Sequence, residues 1–392
     1  MLPRLLTILL FCALGFTPSP QGTTVVKAFV NNDAQNDQRR DARTVETLAP
    51  GIEHITIKRG DFTQEGGDCW TIHAVIADAK LSKLKLAQAK DEIVGAETTS
   101  SLATRYHALV AINGGYFRTT GPARGEPVGA LTIRGKVLSE PVKNRAALAV
   151  REDGRGIRAA ITHSAITATV TTNGKATHTI HGINRPAEKG ELILFTPEFH
   201  HTTLTDTEVT EAVIIKNRVT RLFDNAGDHA IPRNGMVISV QGKSREWART
   251  HLKVGTQVAI SIKSKNEPPL PFPPDFVLGG GPQLVATSRK VFSAESARYS
   301  NSLYQQRHPR TAIGWRLDGK IVLVVVDGRQ KSSVGMTMDE LAGLMLELGC
   351  AQAMNLDGGG STTMVIKNRI VNNPSDLTGE RPVSDALMIF AR

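Results

Sequence analysis

The chain has 392 residues, of which 40% are hydrophobic and 5% aromatic, and its formal net charge is +10 at pH 7. This length suffices for one large or two medium domains with a sizeable core. The basic balance favours an anionic partner, but no basic run interleaved with aromatic residues occurs, which argues against a nucleic-acid binder.

The N-terminal segment, residues 1–22, has the pattern of a secretory signal peptide. Arg4 supplies the charged end, and residues 5–16 form an apolar stretch that is too short to span a bilayer. No later run has the length of a membrane span, so we expect no stable membrane span and a protein that is secreted or periplasmic. Residues 23–48 are mostly polar and charged, which predicts a flexible lead-in.

Two cysteines follow the expected signal peptide, Cys69 and Cys350. They are too few for a disulfide scaffold and lack the spacing of a zinc site. Two buried thiols are favoured over a single bridge, because Cys350 opens a strand of the predicted core.

Alternating apolar and polar residues predict strands in the first part of the ordered chain, at residues 54–57, 70–76 and 81–86. A short helix is expected after Ser101. It leads to a buried strand at residues 108–112, which ends at a turn of Asn113, Gly114 and Gly115. Short alternating runs and turns then predict a β-rich middle region at about residues 151–265.

A stretch late in the chain, residues 321–364, carries the clearest signals of fold. Residues 321–326 are continuously apolar and mostly β-branched, which predicts a strand in the middle of a sheet. Thr337 and Glu340 have the spacing of a capping box at a helix start, and Gly349 marks the helix end. A second strand follows at once. This βαβ unit, together with the alternating strands elsewhere, predicts an α+β fold of mixed β-sheets flanked by helices.

Asp327 and Asp357 follow the two strands of this unit, so they should leave the same edge of one sheet. Adjacent strands lie about 4.8 Å apart and strands separated by one neighbour about 10 Å, which is close to the range of roughly 5 to 9.5 Å between the paired carboxylates of glycoside hydrolases. Three glycines follow Asp357, namely Gly358, Gly359 and Gly360. Their uncovered backbone amides would let an anion or a sugar oxygen approach the main chain.

Seven ordered motifs in this sequence resemble those of the phosphodiester glycosidase family, within about residues 102–150 and 277–390. They are Ala111 to Phe117, Gly280-Gly281-Pro282, Pro309 to Ala312, Asp327-Gly328-Arg329, Gly335-Met336-Thr337, Asn355 to Ser361, and Asn373 to Asp376 with Gly379 to Val383. The resemblance implies that residues 49–392 form a phosphodiester glycosidase domain. It also implies a hydrolase that cleaves a sugar-1-phosphodiester of the N-acetylglucosamine type and releases the sugar and a phosphomonoester. Asp385 departs from the pattern, which has an asparagine there.

The leaving group suggests how such a site would work. A phosphate monoester leaves with little need of a proton, because its conjugate acid has a pKa of about 6. The site therefore needs charge stabilisation more than acid catalysis. We predict Asp357 as the carboxylate that orients water or stabilises the sugar carbon, with Asp327 as its partner. Arg310 is predicted to neutralise the phosphate.

The other candidates are predicted to bind substrate. Arg381 would share the phosphate with Arg310, amides near Gly359 and Gly360 would cradle its oxygens, and Asn113 and Asn355 would bond the sugar. The remaining candidates are Gly114, Gly115, Gly280, Gly281, Gly358 and Ser361. No cofactor and no protein-held metal is expected, although the sequence leaves a divalent-cation requirement open.

Two other functions stay open at this point. The same residues would suit a non-catalytic protein that binds a cell-wall polymer or exopolysaccharide. If the protein is an enzyme, we expect its substrate to be a sugar phosphate or a cell-envelope glycopolymer. A serine hydrolase using Ser361 is also conceivable. It is disfavoured because the pattern Gly-x-Ser-x-Gly is absent around Ser361 and no histidine is near in sequence.

Overall fold

The computed structural model describes residues 41–60, 62, 67–291 and 300–392, so the expected signal peptide lies outside the described residues. Within them the strands, in chain order, are β1 (Ala42–Ala49), β2 (Ile52–Gly60), β3 (Cys69–Asp78), β4 (Ser82–Gln88), β5 (Val110–Asn113), β6 (Leu131–Ile133), β7 (Lys136–Ser139), β8 (Ala146–Asp153), β9 (Gly156–Thr172), β10 (Ala176–Ile180), β11 (Gly182–Ile183), β12 (Leu192–Phe195), β13 (Val209–Ile215), β14 (Arg218–Asp224), β15 (Gly235–Gln241), β16 (Val258–Glu267), β17 (Phe276–Gly279), β18 (Gln283–Ala286), β19 (Arg289–Lys290), β20 (Arg310–Arg316), β21 (Lys320–Val326), β22 (Cys350–Asn355), β23 (Met364–Ile366), β24 (Arg369–Ile370) and β25 (Asp385–Ala391). The α-helices are α1 (Thr99–Tyr106), α2 (Ser244–His251), α3 (Asn301–Gln305) and α4 (Met338–Glu347).

The α+β prediction is wrong, because the protein is mostly β with several antiparallel sheets. Helices do not flank these sheets as layers. The prediction gave too much weight to α4, the longest of the described α-helices at 10 residues. Most apolar surface in the described chain is instead buried strand against strand, as the alternating sequence pattern itself indicated.

The largest sheet has eight strands in the order β1-β2-β3-β21-β20-β22-β18-β19. Strand β21 lies inside this sheet and is buried from Ile321 to Val326, which confirms the prediction from its apolar run. Strands β21 and β22 run in the same direction, but β20 lies between them and is antiparallel to both. The two strands are therefore parallel, as predicted, and the structure places one strand between them.

Helix α4 covers one face of this sheet. The Thr337 side chain accepts from the Glu340 amide, and the Glu340 side chain accepts from the Thr337 amide, so the predicted capping box is present. Leu341 and Met345 pack into the core cluster beneath the helix. Gly349 follows the helix with a φ of 83°, a conformation that glycine adopts without strain.

Three further sheets complete the described fold. Strand β5, which leads to Asn113, lies in a five-stranded sheet of order β24-β23-β5-β25-β4. A second sheet has the order β10-β9-β8-β17-β6-β7, with β16 pairing along β9, and the third has the order β11-β12-β15-β13-β14. One core cluster combines residues from all of these sheets, including Ile112, Leu148, Phe195 and Leu323.

The middle region is built of strands. Residue Thr172 at the end of β9 pairs with Val258 at the start of β16, so the chain leaves and re-enters this long hairpin at one cross-strand pair. The intervening residues 173–257 contain β10, which pairs with β9, and the sheet of β11 to β15. An apolar cluster that includes Ile238 and Val240 packs this sheet against residues of β9 and β16. The proposed domain limits at 49–392 and about 151–265 stay predictions.

The N-terminal end of the described chain differs from the expected lead-in. Residues 42–48, predicted to be flexible, belong to β1, which pairs with β2. The segment is polar because β1 is an edge strand whose side chains are mostly exposed or half-buried. Cys69 and Cys350 are both buried and free, as favoured from the sequence.

Candidate active site

Strand ends bring three of the predicted residues to one end of the largest sheet. Strand β20 begins at Arg310, β21 ends before Asp327, and β22 ends before Asp357. Pro309, the residue before Arg310, joins the start of β20 to the glycine turn. Its carbonyl accepts a hydrogen bond of 2.9 Å from the Gly359 amide. A Cβ on Gly358 would lie only 2.8 Å from this carbonyl oxygen, so the close approach requires glycine.

Asp357 is held by its own main chain. Its amide donates to the Gly114 carbonyl at 3.0 Å, and its carbonyl accepts from Asn113 Nδ2 at 2.7 Å. Its Oδ1 accepts from the Gly358 amide at 2.9 Å. Asp357 therefore sits at a fixed position between the end of β22 and the loop after β5.

The Asp357 carboxyl titrates close to neutral pH. Burial raises its pKa to about 6, although the residue as a whole keeps some exposure. The Ser361 hydroxyl, the Gly358 amide and the charge of Arg381 oppose this shift, whereas the charge of Asp385 reinforces it. The group is thus mostly ionised at pH 7 but within reach of protonation.

Asn113 does not face a substrate. Its side chain is fully buried, and its Oδ1 accepts from Thr311 Oγ1 at 2.7 Å and from the Thr363 amide at 3.2 Å. Since its Nδ2 is bonded to Asp357, both ends of the amide are satisfied by protein. The predicted sugar contact is therefore corrected to a framing role, in which Asn113 ties β5 to β20 and to the turn after Asp357.

Asp385 holds the loop of Gly114 and Gly115 from behind. Its Oδ1 accepts from the Gly115 amide at 2.8 Å, and its Oδ2 accepts from Ser384 Oγ at 3.0 Å. A Cβ on Gly114 would collide with Oδ1. Burial also raises the pKa of Asp385. Asp385 was not predicted as a site residue, yet its charge raises the pKa of Asp357.

Tyr116 was also not predicted as a site residue, although it lies in the motif Ala111 to Phe117. Its hydroxyl donates to the Gly281 carbonyl at 2.8 Å and accepts from Asn355 Nδ2 at 2.8 Å. Burial raises the pKa of Tyr116, and the Asp357 charge adds to the effect. Gly280 and Gly281 thus pack against Tyr116 and Asn355. A Cβ on Gly280 would lie 2.9 Å from the Asn355 carbonyl oxygen.

Asn355 itself is buried, but one of its atoms is left without a partner. Its Nδ2 also donates to the Gly281 carbonyl, whereas its Oδ1 has no hydrogen bond among the described residues. Ser361 is likewise fully buried. Its hydroxyl is near enough to lower the pKa of Asp357, but their geometry falls short of a formed hydrogen bond. A buried Ser361 does not suit the serine-hydrolase alternative.

Arg310 is buried and held by main-chain carbonyls. The residue is 1% exposed, its Nε donates to the Met336 carbonyl at 2.7 Å, and its Nη2 donates to the carbonyls of Leu303 and Gln306. Burial lowers its pKa to about 10, so it stays cationic at neutral pH. Nε and Nη2 are thus already bonded to the main chain, which disfavours the bidentate phosphate contact, and that contact stays a prediction.

Asp327 lies apart from Asp357 by the width of β20. Two strand spacings amount to about 10 Å. Its Oδ1 accepts from Asn372 Nδ2 at 3.1 Å and from the Asn373 amide at 3.0 Å, and burial raises its pKa to about 6. Asn372 in turn accepts from the Met364 amide. Asp327 therefore anchors the segment that supports the glycine turn.

Two arginines flank the triple-glycine turn. The position of a Cβ on Gly359 lies 3.2 Å from Arg329 Nη2, so this guanidinium rests on that glycine. A Cβ on Gly360 would collide with both Asp376 and Arg381. These two form a bidentate ion pair with distances of 2.7 and 3.0 Å. Arg329 was quoted in a motif but not predicted as a site residue.

A cavity of about 340 Å³ adjoins this ion pair and is lined by Phe117, Thr119, Arg124, Asp376, Thr378, Arg381 and Pro382. Larger cavities lie in the middle region, one of about 470 Å³ beside Glu140 and His163, but none of the predicted site residues lines it. We give the smaller cavity more weight because it opens beside the glycine turn. No cluster of three or more metal-binding side chains occurs in the described part of the chain.

Residues 210–390 match the family model of the phosphodiester glycosidases. This part of the chain is a phosphodiester glycosidase domain. The matched range includes Arg310, Asp327, Asp357, Arg381 and Asp385, but it begins after the loop of Asn113.

Relatives match over short segments. The SPbeta prophage-derived uncharacterized protein YomE of Bacillus subtilis (strain 168) is 46% identical over 83 residues, which are 21% of this chain and 13% of YomE. The N-acetylglucosamine-1-phosphodiester alpha-N-acetylglucosaminidase of Bos taurus is 42% identical over 67 residues, or 17% of this chain and 12% of that enzyme. The matched segments thus span only about an eighth of these curated relatives.

The fold extends over a larger part of the chain. The crystal structure of a "Putative exported protein" from Burkholderia pseudomallei is similar with a TM-score of 0.81 and 21% identity, covering 95% of this chain and all of the other. At this identity the likeness shows a shared fold. Among the described residues no helix is long and apolar enough to cross a bilayer.

Proposed function

We propose that this protein hydrolyses the glycosidic bond of a sugar-1-phosphodiester and releases the sugar and a phosphomonoester. The observation that carries the proposal is the geometry around Asp357. The carboxyl of this half-buried residue is fixed at a strand end within the family-matched segment, beside a glycine turn with an arginine on either side. An ionisable carboxyl next to cationic groups suits a reaction that develops positive charge on a sugar and negative charge on a phosphate.

The reaction follows from these charges. Water adds to the anomeric carbon, the bond from this carbon to the phosphate oxygen breaks, and the bonding electron pair stays on the phosphate. The departing phosphomonoester needs little protonation at neutral pH, since its second pKa is about 6. Asp357 as a carboxylate stabilises the electron-poor sugar carbon and takes the proton from water. Asp327 supports the site by accepting hydrogen bonds from residues 372–373, and it does not act as the base that takes the proton from water.

The substrate class rests on the relatives and on charge. Relatives named N-acetylglucosamine-1-phosphodiester alpha-N-acetylglucosaminidase support an N-acetylglucosamine 1-phosphodiester as the first substrate to test. The net charge of +10 favours an anionic substrate such as a cell-envelope glycopolymer. The N-terminal pattern of residues 1–22 supports a secreted or periplasmic location, where such polymers occur.

Steady-state assays with a panel of sugar-1-phosphodiesters test the proposal. The wild type should release sugar from at least one of them, and Asp357→Asn should lower kcat by roughly 100-fold or more while substrate binding stays measurable. Asp206→Asn, an exposed carboxylate in the middle region, is the matched control and should keep full activity. Binding of the diesters without any release of sugar would instead support the non-catalytic polysaccharide binder.

A further inference from the structure

Arg329 is an exposed arginine in the turn that follows β21 and Asp327. Its backbone is left-handed, with a φ of 61°, which is uncommon for a residue with a side chain. Two of its guanidinium nitrogens lie 3.2 and 3.5 Å from the position of a Cβ on Gly359. The side chain thus lies directly over the glycine turn next to Asp357.

The neighbours of Arg329 leave its charge uncompensated. Its Nη2 is 3.3 Å from His308 Nδ1, and no carboxylate lies within ion-pair distance among the residues that the structure describes. Burial and the charges of Arg310 and Arg329 lower the pKa of His308. His308 is therefore a neutral imidazole at pH 7 and supplies an acceptor without cancelling the guanidinium charge.

The other two arginines are already engaged. Arg310 donates three hydrogen bonds to main-chain carbonyls, and Arg381 is held by Asp376 through two. Of the three, Arg329 is the exposed one, and within the described residues its guanidinium contacts the neutral His308 rather than a carboxylate or a main-chain carbonyl. The Gly360 amide, at the same turn, bonds to no acceptor in the described part of the protein.

We propose that Arg329 binds the phosphate of the substrate against the Gly359–Gly360 turn. This assignment rests on the proposed function and moves the phosphate contact from Arg310 to Arg329. A guanidinium presents parallel donors that match two phosphate oxygens, and the left-handed turn at Arg329 brings this fork over Gly359. His308 keeps the guanidinium in place from the other side.

Kinetics on two substrates with the same sugar test the assignment, one a phosphodiester and the other an uncharged nitrophenyl glycoside. Arg329→Gln should lower kcat/KM for the phosphodiester by roughly 30- to 1000-fold and for the nitrophenyl glycoside by less than about 5-fold. Arg329→Lys keeps the charge but loses the fork, so its loss should be intermediate. Arg134→Gln is the control, since Arg134 is also exposed with a left-handed φ of 51° and lies at the turn between β6 and β7.

Calorimetric binding of N-acetylglucosamine 1-phosphate separates the two proposals. Binding that weakens at least 10-fold in Arg329→Gln but not in Arg134→Gln supports the phosphate role even if no diester is hydrolysed. Unchanged binding and equal kinetic losses on both substrates would overturn the role of Arg329 and leave the hydrolase proposal standing. Absence of wild-type binding to this ligand would overturn the assignment as well. Equal thermal midpoints for the variants show that the fold is retained.

Discussion

Asp357 and Asp385 influence one another across the loop of Gly114. Asp385 is 1% exposed and bonded to the Gly115 amide, so its position is fixed. Its charge raises the pKa of Asp357, and this repulsion is specific to an aspartate at position 385. An asparagine could keep the hydrogen bond to Gly115 without the charge. The residue that departs from the family motif therefore raises the pKa of Asp357.

Asp385→Asn should move the acid limb of kcat/KM to lower pH. Removing a negative neighbour makes ionisation of Asp357 easier, so its pKa falls below about 6 and the active carboxylate persists into more acidic solution. The measurement is kcat/KM of both proteins between about pH 4 and 8. An unmoved limb would mean that Asp385 serves only to hold the loop.

Asp327→Asn should stabilise the protein at neutral pH. Burial raises the folded-state pKa of Asp327 from 3.8 to about 6, so its stabilising contribution is present below pH 3.8 and is lost as the pH rises through 6. Two pKa units correspond to roughly 3 kcal/mol. An asparagine stays neutral and keeps the Oδ1 acceptor for Asn372.

Urea unfolding at about pH 4 and pH 7.5 measures this effect. The free energy of unfolding should exceed that of the wild type at the higher pH, and the difference should shrink at the lower one. A variant that is less stable at both values would show that the ionised carboxylate contributes favourably through its bonds to residues 372–373.

Among the elements, the triple-glycine turn joins the carboxylate to the cationic rim. Gly358 packs on the Pro309 carbonyl, Gly359 lies under Arg329, and Gly360 lies under the ion pair of Asp376 and Arg381. A side chain at any of the three would displace a different neighbour. The turn is thus shaped by three separate contacts rather than by flexibility.

Gly360→Ala should therefore impair activity, although the substitution adds only one methyl group. The new methyl group would push Asp376 and Arg381 apart, and overpacking of this kind costs about 1 to 3 kcal/mol. Gly154→Ala is the control, because a Cβ there meets nothing within 4 Å. Thermal midpoints and kcat/KM on the phosphodiester should both fall in the first variant and stay unchanged in the second. Equal results for the two would show that the ion pair yields freely.

Local sequence patterns predicted several elements correctly. The β21 strand and the capped helix α4 each follow from patterns within a few residues. The short helix expected after Ser101 is present as α1, which begins at Thr99. The adjacency of β20 to both β21 and β22 was not predictable in the same way. Strand pairing brings together segments far apart in the chain, and no local pattern encodes which strand lies between two others.

The same limit applies to the site. Strand ends followed by aspartate and glycine correctly indicated that Asp327 and Asp357 leave the same end of a sheet. Which groups face the opening depends on contacts between distant segments. The hydrogen bonds of Arg310 were not predictable from the sequence. Their acceptors are the main-chain carbonyls of Leu303, Gln306 and Met336, and every residue has such a carbonyl. Their presence leaves no signature in residue type.

At the scale of the whole molecule, the net charge should affect capture of substrate. A chain of charge +10 attracts an anionic diester. Salt screens this attraction beyond about 10 Å at 0.1 M ionic strength. We expect kcat/KM for the phosphodiester to fall several-fold between about 0.02 and 0.3 M sodium chloride. The value for an uncharged aryl glycoside should change little. A parallel decline for both substrates would indicate a salt effect on the fold.

The pairing of Thr172 with Val258 has a consequence for how this protein can diverge. Residues 173–257 enter and leave at one cross-strand pair, so a change in their number does not shift the register of β9 against β16. Insertions and deletions at the outer turns of this segment are therefore compatible with an unchanged catalytic end. Removal of the whole segment is not, because Phe195 and Phe199 belong to the main core. Homologues can vary in the length of this segment's loops while the inner face that carries these phenylalanines stays constrained.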